Sequence, residues 1–186
     1  IQAALNSWLY HAPTTDSLAS AEYLLSDKFD ALAAQIHQTW YRGNQTNIEA
    51  ALAENKPEQA TDLSSKPTFK PWDQLTEYQK DSNRTAADHI EVKIRAAGLD
   101  PAQPDLIEAW QQLTAEQLDM LSRIEHERWA ASLWINGYKT GERNDALRMH
   151  PNLVPYDELD ASTQAYDTDQ VQKAAIYYTA NHPKNR

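Results

Sequence analysis

His126-Glu127-Arg128-Trp129 is the densest run of chemistry-bearing side chains in the chain. A His followed by Glu opens the helical zinc-protease motif, but that motif needs a second His at 130, where Ala130 stands. The other histidines, His11, His37, His89, His150 and His182, are scattered, with no pair at metal-ligand spacing. Cys is absent, which removes thiolate metal ligands and cysteine nucleophiles. Four glycines build neither a phosphate loop nor a dinucleotide fingerprint, and no Gly-x-Ser-x-Gly elbow occurs. With 27 acidic residues, carboxylate pairs arise by chance and none stands out. The expectation is therefore a binding protein, not an enzyme, with no catalytic residue, metal or cofactor assigned.

The tryptophans carry the clearest signal. There are six, at positions 8, 40, 72, 110, 129 and 134. An indole usually fills a core. Two of these have polar company: Trp40 follows His37 by three positions, and Trp129 follows His126 by three with Arg128 beside it. Residues three apart share a helix face. An indole next to a His and an Arg can stack a purine while the cations meet phosphate. The two segments, Ile36-His37-Gln38-Thr39-Trp40 and Ile124-Glu125-His126-Glu127-Arg128-Trp129, form a faint internal repeat. Ser82-Asn83-Arg84 and Arg143-Asn144-Asp145 read equally well as solvated turns and surface ion pairs.

These side chains need helices to position them. Apolar spacing predicts a first helix over residues 23–41, stopped by Gly43. A weaker apolar stretch, residues 5–10, precedes it. Residues 44–70 are polar and bracketed by Pro57 and Pro67, and read as a linker or mobile loop with one short helix near Ile48. A second helix starts at Trp72 or Lys80 and runs to Ala97, with Gly98 as its stop. Residues 106–113 supply a further helical turn or two. Thr114 and Gln117 form a capping-box signature for a third long helix that ends at Gly137. Residues 138–166 lose helical period, with short strands expected near Tyr138 or Leu153-Val154. A last helix is expected to be capped by Asp167 or Asp169 and to end at Asn181 and Pro183.

Charge sets limits on partners. Seventeen Lys and Arg face 27 Asp and Glu, a net of −10. Such a chain repels a phosphate backbone, so no nucleic acid is expected as partner. A small anion in a locally basic pocket remains compatible. No run approaches the ~18 apolar residues that span a bilayer, so no membrane insertion is expected. The length suits one domain or two small repeats around one core. The first residue is Ile1 rather than Met, and a segment cut off before it is expected.

Residues 113–171 resemble the ryanodine-receptor repeat, or RyR domain. The resemblance is carried by Ile124, His126, Glu127, Trp129, Ala130, Gly137-Tyr138, Gly141, Arg143, Asp145 and the run His150-Pro151-Asn152-Leu153-Val154-Pro155-Tyr156. Leu159, Tyr166 and Asp167 complete it. Upstream, Trp72, Leu75, Ser82-Asn83-Arg84, Ala87 and Ile90 look like the region preceding the repeat in bacterial and phage relatives. There an N-terminal Rossmann-like domain often comes first. The resemblance implies a mainly α fold with a small antiparallel β element, built from two diverged pseudo-symmetric repeats. Residues 1–186 then form a single RyR-like domain, with half-repeats at about 20–100 and about 106–181. It also implies a cytoplasmic sensor, often in defence settings, binding a nucleotide between paired tryptophans.

The expected ligand is small and adenine-nucleotide-like, of the ATP, ADP-ribose or cyclic-nucleotide class. Trp129 and Trp40 stack the base; Arg143, Arg84 and Arg128 neutralise phosphate; Asn83, His126 and Tyr156 make polar contacts. His150-Pro151 is assigned to loop shape. Two alternatives stand: a protein–protein docking module without a small ligand, and, last, a nucleotide-processing enzyme. The sequence leaves oligomeric state open.

Overall fold

A computed structural model describes residues 28–182. The weak apolar stretch at residues 5–10, Trp8 and the start of the first predicted helix lie outside them. The chain divides into two compact units at Ala31/Leu32. Of the first, the opening turn of one helix is described; everything below concerns the second.

Helix α1 (Lys28–Ala53) does not stop at Gly43. Gly43 is exposed with open space around it, so its cost is only the ~1 kcal/mol of a helical glycine. The stop is Asn55, at φ 60°. Lys56 N–H donates to Ala51 O and Asn55 N–H to Leu52 O, a left-handed cap that asparagine tolerates. The expected linker is therefore largely helical. Helix α2 (Pro57–Ser64) follows at once, with Pro57 in the first turn, where no N–H is missed.

The second predicted helix is divided. A 3-10 turn (Trp72–Gln74) comes first, then α3 (Glu77–Asp88) and α4 (Ile90–Ala96). Thr76 starts α3: its hydroxyl accepts from Gln79 N–H at 3.3 Å, and Gln79 Oε1 accepts from Thr76 N–H at 3.0 Å. Gly98, at φ 81°, ends α4 as predicted, through Leu99 N–H to Ile94 O and Gly98 N–H to Arg95 O. A short α5 (Leu106–Gln111) leads to α6 (Ala115–Ile135). The Thr114–Gln117 capping box forms as read, and Gly137, also at φ 81°, closes α6 with the same double bond pattern.

The β element differs from expectation. Strands β1 (Lys139–Thr140) and β2 (Met149–His150) pair in parallel, Lys139 with Met149 and Thr140 with His150. Among the described residues antiparallel pairing is confined to one bridge, Asn144 with Met149. A parallel pair normally needs a long crossover. Here each strand is two residues long, and the loop between them folds back on itself at that bridge. A second 3-10 turn (Tyr156–Glu158) follows, then α7 (Ala161–Asn181). Its cap is Asp160, not Asp167 or Asp169: the Asp160 carboxylate accepts from Thr163 N–H at 2.9 Å. The first two turns of α7 hold no buried residue and no large aliphatic one, so apolar period alone places the start too late.

One core joins these helices. Ile36 of α1, Ala86 of α3, Ile90 and Ile94 of α4, Leu106 and Trp110 of α5 and Leu121 of α6 meet Val171, Ala174, Ala175 and Tyr177 of α7. The buried indole N–H of Trp110 donates to Val171 O at 3.0 Å, so its one polar atom is satisfied inside the core.

Candidate functional site

The site is organised by one face of α6. His126 and Trp129, three apart, lie on that face with ring centroids 5.5 Å apart. His126 is buried, and its Nε2 donates to Val154 O at 2.8 Å. Val154 precedes Pro155, a position that disfavours helical backbone. The following 3-10 turn delivers Tyr156, whose ring meets His126 edge-on at 5.9 Å. The Arg123 guanidinium lies 4.9 Å from the centre of the Tyr156 ring and holds both Asp157 oxygens, at 2.8 and 2.7 Å. Strand β2 brings His150 edge-on to Trp129, at 5.0 Å. Trp129 is thus half-buried between two imidazoles.

Arg143 sits on the exposed loop between the strands. No hydrogen bond or ion pair holds its side chain among the described residues. Its charge reaches His150: burial first, and Arg143 second, push the His150 pKa down to about 4. His150 is therefore neutral at physiological pH, and its Nδ1 accepts Asn152 N–H at 3.1 Å.

Behind this face α6 is charged and dry. Glu125 accepts from Lys93 Nζ at 2.5 Å, with both side chains 3% exposed or less. Arg128 donates to both Glu125 oxygens, at 2.7 and 3.1 Å, and reaches Thr85 Oγ1 on α3 at 3.1 Å. Burial pushes the Lys93 pKa down, while Glu125 opposes it. His89, at the α3–α4 junction, leaves a buried Nδ1 without a partner, and burial lowers its pKa as well. On α7, Asp167 approaches His126 Nδ1 at 3.4 Å. Burial pushes the Asp167 pKa up to about 6, with His126 pulling the other way. His126 Nε2–H is already committed to Val154, so the Nδ1–Asp167 contact needs one proton, on the ring or on the carboxyl.

A second aromatic cluster has related geometry. His37 of α1 is buried and its Nε2 donates to Lys70 O at 2.7 Å, again the carbonyl before a proline. Its ring lies 5.7 Å from Trp40 and 6.0 Å from Trp72, the residue after that proline. Phe69 packs on Trp40 and Tyr41, and Lys80 lies 5.6 Å from the Trp72 ring. The sequence carries a signal for this likeness in Pro71-Trp72-Asp73-Gln74-Leu75 against Pro155-Tyr156-Asp157-Glu158-Leu159, which apolar spacing alone does not pick out.

The predicted site residues therefore separate. His126, Trp129 and Tyr156 come together, with Arg143 at the rim. Trp40 belongs to the second cluster and shares no ring contact with Trp129 among the described residues. Arg84 is held on α3 by Asp81 at 2.7 Å and Glu77 at 2.9 Å. Asn83 donates to Gln79 O at 3.4 Å on the same helix. Arg128 points inward to Glu125. A small cavity of about 140 Å³, lined by Pro101, Leu106, Tyr178 and His182 among others, includes none of the predicted residues. Among the described residues no cluster of His, Asp and Glu could hold a metal ion, and no helix is long and apolar enough to cross a membrane.

Residues 105–181 match the family model of the RyR domain. The match covers α5 to α7, hence the cluster around His126, and leaves the cluster around His37 outside. No curated protein matches the chain.

Proposed function

We propose that this chain is a non-catalytic sensor that binds a small adenine-nucleotide-like ligand at the Trp129 cluster. The observation that carries the reading is the conjunction of a half-buried indole, flanked by His126 and His150, with an unpaired arginine at its rim. The indole offers stacking area to a purine, and Arg143 offers a charge that no carboxylate among the described residues has claimed. Arg84 and Arg128 already hold carboxylates, so a phosphate would have to compete for them. In this reading Arg143 takes the main phosphate role.

The same reading takes the two His–carbonyl–proline–aromatic arrangements as diverged copies of one unit. Trp40 then serves the first copy as Trp129 serves the second. A bacterial or phage, defence-related setting goes with the resemblance, and a cytoplasmic one with the absence of Cys.

The test is a thermal-shift panel of ATP, ADP-ribose, cyclic nucleotides and NAD. A ligand that binds only the native state raises Tm. Calorimetry on folded Trp129→Ala should then show a loss of roughly 1–3 kcal/mol, as base–aromatic stacking contributes. Unchanged affinity assigns Trp129 to packing. A second reading is favoured by the end of α6, where Trp134, Ile135 and Leu147 are exposed, Ile135 at 86%. Such side chains suit a protein interface. Silence across the nucleotide panel favours that docking reading.

A further inference from the structure

Strand β2 holds an imidazole with one nitrogen spoken for and one open. His150 Nδ1 accepts Asn152 N–H at 3.1 Å, which fixes the tautomer: the proton sits on Nε2. That Nε2–H has no hydrogen-bond partner among the described residues, and it is not among the buried unpartnered atoms. The ring stands edge-on to Trp129, on a strand whose backbone is pinned by Gly141 N–H to His150 O. The charged groups that act on it are Arg143 and Asp145, both on the exposed loop. His150 thus has more definition than a residue that only shapes a turn requires.

We infer that His150 is a fixed, uncharged hydrogen-bond donor to the ligand, its Nε2–H meeting a neutral acceptor while Arg143 meets an anionic group. The inference rests on the ligand reading above and narrows it. A neutral imidazole N–H beside an indole suits a ring nitrogen or carbonyl oxygen of a stacked heterocycle. A phosphate oxygen suits the guanidinium better, because a charge-assisted bond is the stronger one. The ligand class is then a phosphorylated aromatic heterocycle, read by two different donors at its two ends.

The test uses ATP and adenosine as probes on the full chain. His150→Asn keeps an acceptor for Asn152 N–H, because an asparagine side chain makes the same short-range bond, but it withdraws the outward donor, since the side-chain amide ends one bond short of the imidazole Nε2. It should weaken ATP and adenosine alike, by about tenfold, the scale of one hydrogen bond. Arg143→Gln should weaken ATP by about tenfold or more and leave adenosine nearly unchanged. Nitrogen-15 NMR of the ligand-free protein gives a readout that needs no ligand. Nδ1 should be unprotonated and Nε2 protonated between about pH 8 and pH 5. The opposite tautomer, or an imidazolium at about pH 6, overturns the inference whatever binds. So does wild-type affinity in His150→Asn, or a loss confined to ATP; either outcome leaves the nucleotide reading standing. Failure of wild type to bind any member of the panel overturns both, and the NMR result then tells whether the donor geometry itself was right.

Discussion

Replacing Glu125 by Gln should be the most damaging conservative change in α6. Glu125 compensates two cations at once, Lys93 and Arg128, and the Lys93 side chain is only 2% exposed. After Glu125→Gln, Lys93 has two options. It stays charged without a buried counter-ion, or it sheds its proton in the folded state. The second option sets the ceiling: about 1.36 kcal/mol for each unit between a lysine pKa of ~10.4 and the working pH, hence roughly 4–5 kcal/mol at pH 7. That agrees with the ~3–5 kcal/mol lost when one partner of a buried pair is removed. Lys93→Met should cost less, about 1–3 kcal/mol, because Glu125 keeps Arg128. The double variant should fall well short of the sum, leaving a coupling of about 2–3 kcal/mol. Urea unfolding of the four proteins measures this. The pH dependence is a second check. With Lys93 neutral in the fold, the unfolded chain binds the extra proton, so the Glu125→Gln variant regains stability as pH rises. Its deficit should shrink by about 1.4 kcal/mol per unit from pH 7 towards pH 9. Additive effects within ~0.5 kcal/mol, or a deficit flat with pH, would refute the reasoning.

Three further outcomes follow from the same chemistry. Asp167 has a folded-state pKa raised to about 6 from 3.8, so its contribution to stability is present in full below about pH 4 and is lost as pH rises through 6. Asp167→Asn should therefore gain on wild type between pH 4 and pH 7, by something on the order of 2 kcal/mol once the water-accessible part of the carboxyl is allowed for; parallel urea midpoints across that range would show the group is not buried as described. Trp110→Phe should lower stability by about 1–3 kcal/mol, since it leaves a void and removes the indole donor to Val171 O; unfolding within ~0.5 kcal/mol of wild type would mean that contact contributes little. Duplex DNA should not shift in a gel at physiological salt, given a net charge of −10, and salt-sensitive sub-micromolar binding would contradict that.

Local signals were readable in the sequence where they act locally. Thr114 with Gln117, Gly98 and Gly137 each specify a helix end through one residue's own backbone or side chain, and each end forms where the pattern puts it. Asn55 does the same work as a glycine but lacks glycine's visibility, while Gly43, which looks like a stop, is merely a helical residue facing solvent. Asp160 is hidden because no large aliphatic residue follows it before Val171. The site was partly legible for a similar reason. The His126–Trp129 pair is a three-residue spacing and can be seen; the meeting with Tyr156 and His150 depends on a loop and two short strands. Least legible was the inner face. The sequence offers Arg128 to a phosphate and marks Lys93 and Glu125 with no signal of their own; only the packing of α4 against α6 makes Lys93 and Glu125 interior.

One turn of α6, from Glu125 to Trp129, is anchored in four directions: to α4 through Lys93, to α3 through Thr85, to the Val154 loop through His126, and to β2 through His150. No position among the anchoring residues can drift alone, because each partner belongs to a different stretch of chain. A change tolerated here in the course of divergence must come with a matching change far away in sequence. Relatives of this chain should therefore vary this turn in blocks, keeping or replacing whole sets of partners, while its neighbours on the exposed side of the helix vary freely.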